Sequence, residues 1–365
     1  MRIELCKKCV LTNTRPNVIF DKNGVCSVCN YFELKEKKID WKNQKKKFKG
    51  LLKQIKKQSS GYDVLIPVSG GKDSTWQVYT CLKHKLNPLT FSYKPILRTK
   101  IGQENLNNLL KLGVDHIDFT ISKNVELHLL KKSFLKFGAV GLPMHMAMWA
   151  IASQIAQKYN IKYIIWGENP ATEYSGMKET HKLNYLDERW IKKFGINFNT
   201  KINDWFDKKL NTKNTIPFQR KKNKQKSIFL GQYVKWDPKK IYKIAKRLGF
   251  KKSNKPKTGI YKFADIDDDL ISIHHYLKLY KFGFTRAFDN LSLEIRNKRI
   301  SRNRAIKEIK KDIKRKPTKD IRKFCKLINI SEKEFFRICE KFRNKKGSFL
   351  DQYVLDSSEN LREMF

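Results

Sequence analysis

The sequence has no uninterrupted apolar run approaching the roughly 18 residues that a membrane-spanning helix needs. It also has no early segment that joins a basic start to an apolar core and a small-residue cleavage site. No internal repeat and no low-complexity tract interrupts its 365 residues. From these absences we expect a protein without a membrane span that works in the cytoplasm.

Acidic residues are scarce: 35 Asp and Glu stand against 79 Lys and Arg, which leaves a formal net charge of +44. A field of that sign attracts nucleic acid, anionic membranes or phosphorylated ligands. The excess is mostly lysine spread along the whole chain, and Asn and Ile are abundant too. That pattern is typical of compositional drift across a genome, so the charge leaves drift and a nucleic-acid function open.

The seven cysteines fall into two groups. Four of them form two Cys-x-x-Cys pairs with sixteen residues between the pairs: Cys6, Cys9, Cys26 and Cys29. This spacing is typical of a structural zinc site with four thiolates, although iron takes the same ligands, and two disulfides or a redox pair are the alternatives. Because no coordination position stays open, the metal is expected to hold together a segment without a core of its own. The other three lie in helical patterns and are expected to be buried: Cys81, Cys325 and Cys339.

The most informative stretch lies between the apolar run 64–68 and the helical pattern 75–82. Its residues are Ser69, Gly70, Gly71, Lys72, Asp73 and Ser74. The pattern predicts a strand, a tight glycine turn and a helix whose backbone N–H groups favour a bound anion. Asp73 suits a divalent cation that bridges it to phosphate. A plain strand–turn–helix corner is the alternative, Lys72 is also compatible with a solvated lysine, and the Walker pattern is absent.

Beyond Tyr62, strand patterns alternate with helical ones. Strands are predicted at 64–68, 89–93, 116–119, 163–166 and 228–230, and helices at 103–112, 125–137, 143–159 and 239–248. The alternation predicts an α/β fold with a doubly wound parallel sheet, whose ligands bind at the carboxyl ends of the strands. Residues 33–58, which precede the first predicted strand, are predicted to form one basic helix that docks on the protein by its apolar face; binding to RNA or to a membrane is the alternative.

A polar loop follows the fourth predicted strand. Its functional candidates are Gly167, Glu168, Asn169, Glu173 and Tyr174. A surface turn that caps the next segment is the alternative reading.

Three other polar features are explained better by structural roles than by catalysis or metal binding. His145 fits a capping or core-edge histidine better than a base, and Asp237 with Pro238 fits the start of a helix. The acidic stretch 265–269 is most simply the start of a helix that runs to residue 280.

Four regions are expected along the chain. They are a cysteine knuckle at 1–32, a basic linker helix at 33–60, an α/β domain with the glycine turn at 61–250, and a basic helical domain at 251–365. Within the third region, residues 177–226, which include Arg220, Lys221 and Lys222, read as an insertion or lid. Further helices are predicted at 302–313, 320–328 and 331–342.

These motifs resemble the N-acetyl sugar amidotransferases of the PP-loop ATP pyrophosphatases, a family of bacterial O-antigen and flagellin-sugar pathways. The matched stretches are the two cysteine pairs, 69–74, 101–106, 112–115, 166–169, 173–176, 234–238, 274–278 and 280–284. The resemblance implies conversion of a sugar acetamido group to an acetamidino group. The amide oxygen would be adenylated by ATP, and ammonia would then expel AMP.

The resemblance also implies roles for particular residues. ATP and Mg²⁺ would bind at residues 69–74 and Gly167, and Zn²⁺ at the four cysteines. The catalytic candidates are Asp73, Glu168, Asn169 and Glu173, and the candidates for substrate binding are Tyr174, Lys281 and Arg286. The substrate would be a free, carboxylated or nucleotide-linked acetamido sugar. Ammonia would come from a separate glutaminase, with or without a cyclase-like channel subunit, since the chain has no glutaminase Cys–His arrangement.

Two other functions stay open. A tRNA-modifying PP-loop enzyme, either a thiolase or a lysidine-type ligase, suits the basic charge and the cysteine knuckle. Thiolation, however, usually needs a reactive cysteine near the loop, and Cys81 there has a buried pattern. A non-catalytic RNA-binding scaffold with a vestigial loop is the third possibility, against which the intact motif at 69–74 argues.

Overall fold

The computed structural model describes residues 3–174, 186, 187, 189–191, 200–219 and 225–344. Nearly half of the predicted insertion at 177–226, including residues 220–222, lies outside the described residues, and so do residues 175 and 176 of the loop after the fourth predicted strand. Within the described residues, no helix is long and apolar enough to cross a membrane.

Five parallel strands form one sheet in the order β3-β2-β1-β4-β5. They are β1 (Val64–Pro67), β2 (Pro88–Tyr93), β3 (Asp115–Phe119), β4 (Tyr163–Trp166) and β5 (Lys226–Phe229). Leu65 is in register with Leu89 on one side and with Ile164 on the other. All five strands were predicted within two residues at either end, because each is a short apolar or alternating run bounded by helical patterns.

Helices cover both faces of the sheet, which confirms a parallel α/β architecture. They are α1 (Ser27–Lys38), α2 (Trp41–Gln58), α3 (Lys72–Lys83), α4 (Lys100–Leu110), α5 (Lys123–Phe137), α6 (Leu142–Lys158), α7 (Pro170–Tyr174) and α8 (Pro238–Arg247). Val64 and Ile66 pack with α2, α3, α4 and α8 on one face, while Leu65 packs with α5 and α6 on the other. Alternate residues of β1 therefore serve two cores, as the period of two in a strand requires.

Five further helices follow the sheet. They are α9 (Leu270–Phe282), α10 (Arg286–Arg296), α11 (Arg302–Asp312), α12 (Thr318–Ile328) and α13 (Glu332–Lys341). Phe134 of α5 packs with Phe324 and Phe335 of this group, and Ile3 and Val10 of the N-terminal segment pack with α10 and α11. The three parts of the chain thus share apolar cores, and the domain boundaries stay a prediction.

Two predicted helices need correction. Residues 33–58 do not form one helix: α1 ends at Lys38, and Asp40 caps the new helix α2 by accepting hydrogen bonds from the N–H groups of Lys42 and Asn43. The acidic stretch 265–269 is not a first helical turn, because α9 begins only at Leu270. In contrast, Asp237 and Pro238 do begin α8, as predicted.

Candidate functional site

The loop between β1 and α3 has the conformation that the sequence predicts. Gly70 has φ +79°, and a Cβ there would lie only 2.8 Å from Leu106 Cα on α4. The hydroxyls of Ser74 and Thr75 both donate to the Gly71 carbonyl, over 2.9 and 3.0 Å, and so fix the first turn of α3. The loop is therefore a rigid turn at a helix N-terminus, which is the geometry of an anion site.

Asp73 stands at the start of α3 between two partners. Its Oδ1 accepts a hydrogen bond of 3.0 Å from Trp236 Nε1, and its Oδ2 forms an ion pair with Lys72. Lys72 is only 6% exposed and its ammonium lies 5.9 Å from the centre of the Phe263 ring. The reading of Lys72 as a solvated lysine is therefore wrong, since burial and pairing hold it beside the loop.

The segment after β4 passes directly across the start of α3. A Cβ at Gly167 would lie 2.6 Å from Gln77 Nε2 and 3.9 Å from Asp73 Cβ, so a glycine permits this crossing. The Gly167 carbonyl accepts a hydrogen bond of 3.0 Å from the N–H of Gly231, which follows β5. Segments that follow three neighbouring strands thus meet at one point of the sheet edge.

Glu168 is half-buried at this point. Burial raises the pKa of its carboxyl to about 7, and the nearby Asp73 carboxylate raises it further, while Lys72 and Arg286 act in the opposite direction. A carboxyl with this pKa exchanges its proton near neutral pH, which suits a general acid or base.

Asn169 and Glu173 are turned away from this carboxyl. Asn169 is 1% exposed, and its Oδ1 accepts a hydrogen bond of 3.2 Å from Trp190 Nε1. Glu173 is buried in an ion pair with Lys35 of α1. Of the four residues predicted to be catalytic, the structure brings Asp73 and Glu168 together, and it places the other two in contacts with buried partners.

Arg286 and Tyr174 lie together next to Glu168. The guanidinium of Arg286 is 5.5 Å from the centre of the Tyr174 ring, and its Nε is 3.3 Å from Asp265 Oδ2. Burial raises the pKa of the Tyr174 hydroxyl, so this group stays protonated. Lys281 lies elsewhere: its ammonium donates a 2.8 Å hydrogen bond to the Phe137 carbonyl at the end of α5.

Lys278, which belongs to the matched stretch 274–278 but was not predicted to have a role in the site, lies one helical turn after His274 on α9. In the part of the chain that the structure describes, Lys278 makes no hydrogen bond and no ion pair within 4 Å. Burial lowers the pKa of its ammonium to about 8, while the Asp289 carboxylate acts to raise it and Arg15 and Arg286 lower it further. The four-residue spacing of His274 and Lys278 was the available signal, because it puts both on one side of a helix.

The acidic stretch 265–269 lies against the loop at residues 69–74, named the phosphate loop from here on. Asp265 has φ +57° and accepts a 2.6 Å hydrogen bond from Thr258 Oγ1. Burial raises the pKa of the Asp267 carboxyl, which lies beside Ser69, and the Cα of Asp267 would lie 2.7 Å from a Cβ at Gly102. These residues are therefore one wall of the site, and the end of the stretch also begins α9: Asp269 is its N-cap residue, and the Leu270 N–H donates to Asp268 Oδ1 over 3.0 Å.

The four knuckle cysteines come together as predicted. One Sγ atom from each lies within 4.8 Å of the others, and all four residues are buried and free of disulfides. Backbone N–H groups of Cys9 and Cys26 donate to Cys6 Sγ over 3.4 and 3.2 Å, which is how thiolates of metal knuckles are stabilised. The donor set and its burial fit structural zinc. Within the described residues, no other group of His, Cys, Asp and Glu meets the geometry of a metal site.

The C-terminal helices carry a recognisable family signature. Residues 257–362 match the family model "LPS biosynthesis protein WbpG-like, C-terminal domain". This range starts just before the acidic stretch and includes Lys278 and Arg286, but it covers less than a third of the chain and none of the phosphate loop.

Two further comparisons add little. No curated protein matches the sequence. The structure of NMN synthetase from Francisella tularensis is 16% identical, covers 74% of this chain and 96% of that one, and has a TM-score of 0.35, a likeness too loose to carry an argument.

Proposed function

We propose that the chain is an ATP-dependent, AMP-forming amidotransferase that converts a sugar acetamido group to an acetamidino group in bacterial surface-polysaccharide or flagellin-sugar biosynthesis. One observation carries the proposal: the phosphate loop after β1 and Glu168 after β4 meet where the strand order reverses. In open α/β sheets, this crevice at the carboxyl ends of the strands is where ligands bind. The match of the C-terminal helices to an LPS biosynthesis family supports a sugar substrate.

ATP would bind with its β and γ phosphates on backbone N–H groups of residues 69–74, and the hydroxyls of Ser69 and Ser74 would turn from their contacts with Gly71 to the phosphates. The carboxyl groups of Asp73 and Glu168 also suit Mg²⁺. Asp73 raises the pKa of Glu168 because the two negative charges repel each other, and a divalent cation would relieve this repulsion. Asp73 would hold this ion, which would neutralise charge on the phosphates.

The chemistry requires activation, because an amide carbonyl is a poor electrophile. Attack of the amide oxygen on the α-phosphorus breaks the bond to the β-phosphate and releases pyrophosphate. Ammonia then adds to the imidate carbon, the C–O bond breaks, and AMP leaves. Glu168 is suited to take the proton from the incoming ammonia, since its pKa is about 7.

The other end of the site suits an anionic group on the sugar. Arg286 is already neutralised by two carboxylates: its Nε lies 3.3 Å from Asp265 Oδ2, and its NH1 lies 3.5 Å from Asp289 Oδ2. Lys278 has no such partner in the described residues, and a half-buried cation without an anion is unfavourable. A carboxylate or phosphate of the substrate would supply the missing charge, with the Tyr174 ring beside it. Lys278 thus replaces Lys281 in the proposed substrate contacts.

The remaining parts of the proposal concern partners. Ammonia would come from a separate glutaminase, with or without a channel subunit. A tRNA thiolase is disfavoured because Cys81, the cysteine next to the loop, is fully buried, and burial raises the pKa of its thiol to about 12.

The direct test combines the purified protein with Mg-ATP, ammonium and three sugars: N-acetylglucosamine, N-acetylneuraminic acid and UDP-N-acetylglucosamine. We expect AMP and a product about one mass unit lighter with ¹⁴N ammonia, and of unchanged nominal mass with ¹⁵N ammonia. Asp73→Ala should form neither product. AMP that appears only when tRNA is added, or release of ADP and orthophosphate, would reject the proposal.

A further inference from the structure

Two basic side chains of the N-terminal segment, residues 3–38, reach the segment that carries Glu168. Arg15 lies between the two cysteine pairs, and Lys35 lies on α1, which begins directly after Cys26. Neither the cysteine motif nor the ATP chemistry assigns them a role. Their partners are the last two residues of α7, Glu173 and Tyr174.

Arg15 is held by four contacts. Its Nε donates a 3.2 Å hydrogen bond to the Tyr174 carbonyl, and one NH group lies 3.2 Å from Asp289 Oδ1. Its guanidinium lies 5.8 Å from the centre of the Tyr174 ring and 5.2 Å from that of Phe284. With its side chain only 13% exposed, Arg15 links α7 to α10 through one hydrogen bond and one ion pair that solvent barely reaches.

Lys35 forms the second link. Its ammonium pairs with Glu173, and the two side chains are 7% and 8% exposed. A pair this deeply buried is sensitive to loss of either partner, because the remaining charge stays in a poorly solvated place. Such pairs specify one arrangement of the chain more than they add stability.

The N-terminal segment is itself fixed to the C-terminal helices. Arg302 Nε donates to the carbonyls of Cys6 and Cys9 over 3.1 Å each, and the Val10 N–H lies 3.3 Å from Ser292 Oγ. Arg15 and Lys35 are therefore presented from a platform of fixed position, which is what a positioning role requires.

We propose that Lys35 and Arg15 are positioning residues, which hold α7 so that Glu168 faces the phosphate loop. This inference rests on the proposed function for its catalytic meaning. Glu173 then serves as the buried anchor of the segment, and only five residues lie between Glu168 and Tyr174, so a displaced α7 displaces the carboxyl. The cysteine knuckle becomes part of the active site through these two side chains.

The test uses Lys35→Met, the charge-swapped double variant Lys35→Glu/Glu173→Lys, and Lys8→Met as a matched control. Lys8 belongs to the same segment, but its partner Glu33 and Lys8 itself are about half exposed, so its pair is a surface pair. Lys35→Met should lower kcat for AMP formation by about tenfold or more, with KM for ATP changed less than about twofold, because misplacement affects chemistry more than phosphate binding. The swapped variant should recover part of kcat, and Lys8→Met should match the native chain.

Hydrogen exchange separates this inference from the proposed reaction. In Lys35→Met, the amides of residues 167–174 should exchange faster, while those of α3 and of the sheet should be unchanged. Unchanged exchange at 167–174, or an equal loss of ATP binding and kcat, would overturn the positioning role. Faster exchange in a protein that forms no AMP with any acetamido sugar would refute the proposed function and leave the positioning role standing. If Lys35→Met does not fold, Arg15→Met replaces it, since it removes the hydrogen bond to the Tyr174 carbonyl, and the same losses of kcat and of exchange protection are expected.

Discussion

Replacing Gly70 with alanine should destabilise the phosphate loop in two separate ways, through its backbone conformation and through a steric clash. The residue has φ +79°, a left-handed conformation that side chains disfavour. The new Cβ would also lie 2.8 Å from Leu106 Cα and 2.9 Å from the Asn105 carbonyl carbon, and both belong to the backbone of α4. Because backbone atoms cannot rotate aside, the loop or the helix must move.

Two other glycines isolate these costs. Gly113 has nearly the same conformation, φ +82°, but a Cβ there would meet nothing within 4 Å, so Gly113→Ala should lose only the conformational cost of about 1–2 kcal/mol. Gly70→Ala should lose this amount and a further 1–3 kcal/mol or so from overpacking. Gly50 lies inside α2 in open space, so Gly50→Ala should gain about 0.5–1 kcal/mol.

Urea unfolding followed by circular dichroism measures the three changes, and calorimetric titration with α,β-methylene ATP and Mg²⁺ measures nucleotide binding. We expect Gly70→Ala alone to lose binding, and its rate of AMP formation to fall by about a hundredfold, since a displacement near 1 Å in a reacting site has that effect. If Gly70→Ala were no less stable than Gly113→Ala and bound nucleotide normally, the contact with α4 would have no role in shaping the loop.

Three further predictions concern other parts of the molecule. Burial and the nearby Asp268 raise the pKa of Glu126 to about 8, so the native chain keeps a proton that the unfolded chain releases near pH 4.5, and the free energy of unfolding should decrease as the pH rises between these values. Urea unfolding of Glu126→Gln should show at least about 1 kcal/mol less of this decrease at pH 8. The same pH dependence in the variant and the native chain would contradict this prediction. Asp237→Ala should lower the free energy of unfolding by about 2–4 kcal/mol, because Asp237 caps α8 at the Lys239 N–H and pairs with Arg299 at 2.7 Å. Asp237→Asn should lower it less because asparagine keeps the cap, and equal losses in the two variants would argue that only the ion pair matters. A strong chelator should release one zinc per chain and expose four thiols to a colorimetric thiol reagent, and an unchanged thiol count would exclude the metal site.

Sequence reasoning located the loops of the site but not the directions of their side chains. The loops follow from the strand pattern, since polar residues after buried strands gather at one sheet edge. Asn169 and Glu173 look equally functional in the sequence, yet their partners Trp190 and Lys35 approach from segments 21 and 138 residues away. No local pattern carries contacts of that separation.

The same limit explains the acidic stretch. Five residues with four carboxylates before an apolar helix are typical of a helix start. In the fold, Asp265 is bound by Arg286 and Asp269 by Lys257 and Lys323, so distant cations hold the stretch outside the helix. The break between α1 and α2 did have a local signal in Asp40, but the lysine-rich pattern on both sides favours helix throughout and hides it.

Lys278 and Lys281 differ in their surroundings although they are close together on one helix. The two lie three residues apart on α9, a helix that is apolar on most sides, so its periodicity does not reveal which face meets the cleft. Lys281 extends toward the end of α5, where the Phe137 carbonyl and two phenyl rings satisfy it. Only the packing of α9 against α5 and α10 distinguishes a satisfied lysine from one that needs an anion.

The large net charge has a different meaning at the surface and in the site. The lysines of α2 lie in water while Phe48, Leu52 and Ile55 enter the core, so this helix is docked by its apolar face as predicted. In the cleft, by contrast, Arg15 and Arg286 both pair with the buried carboxylate of Asp289, whereas the ammonium of Lys278 has no ion pair within 4 Å in the described residues. Exposed charges act mainly on encounter rates and are screened by salt, whereas a buried unmatched charge selects its ligand. If the proposed function is correct, specificity for an anionic substrate would depend on Lys278, and the overall charge of +44 would contribute attraction at a distance.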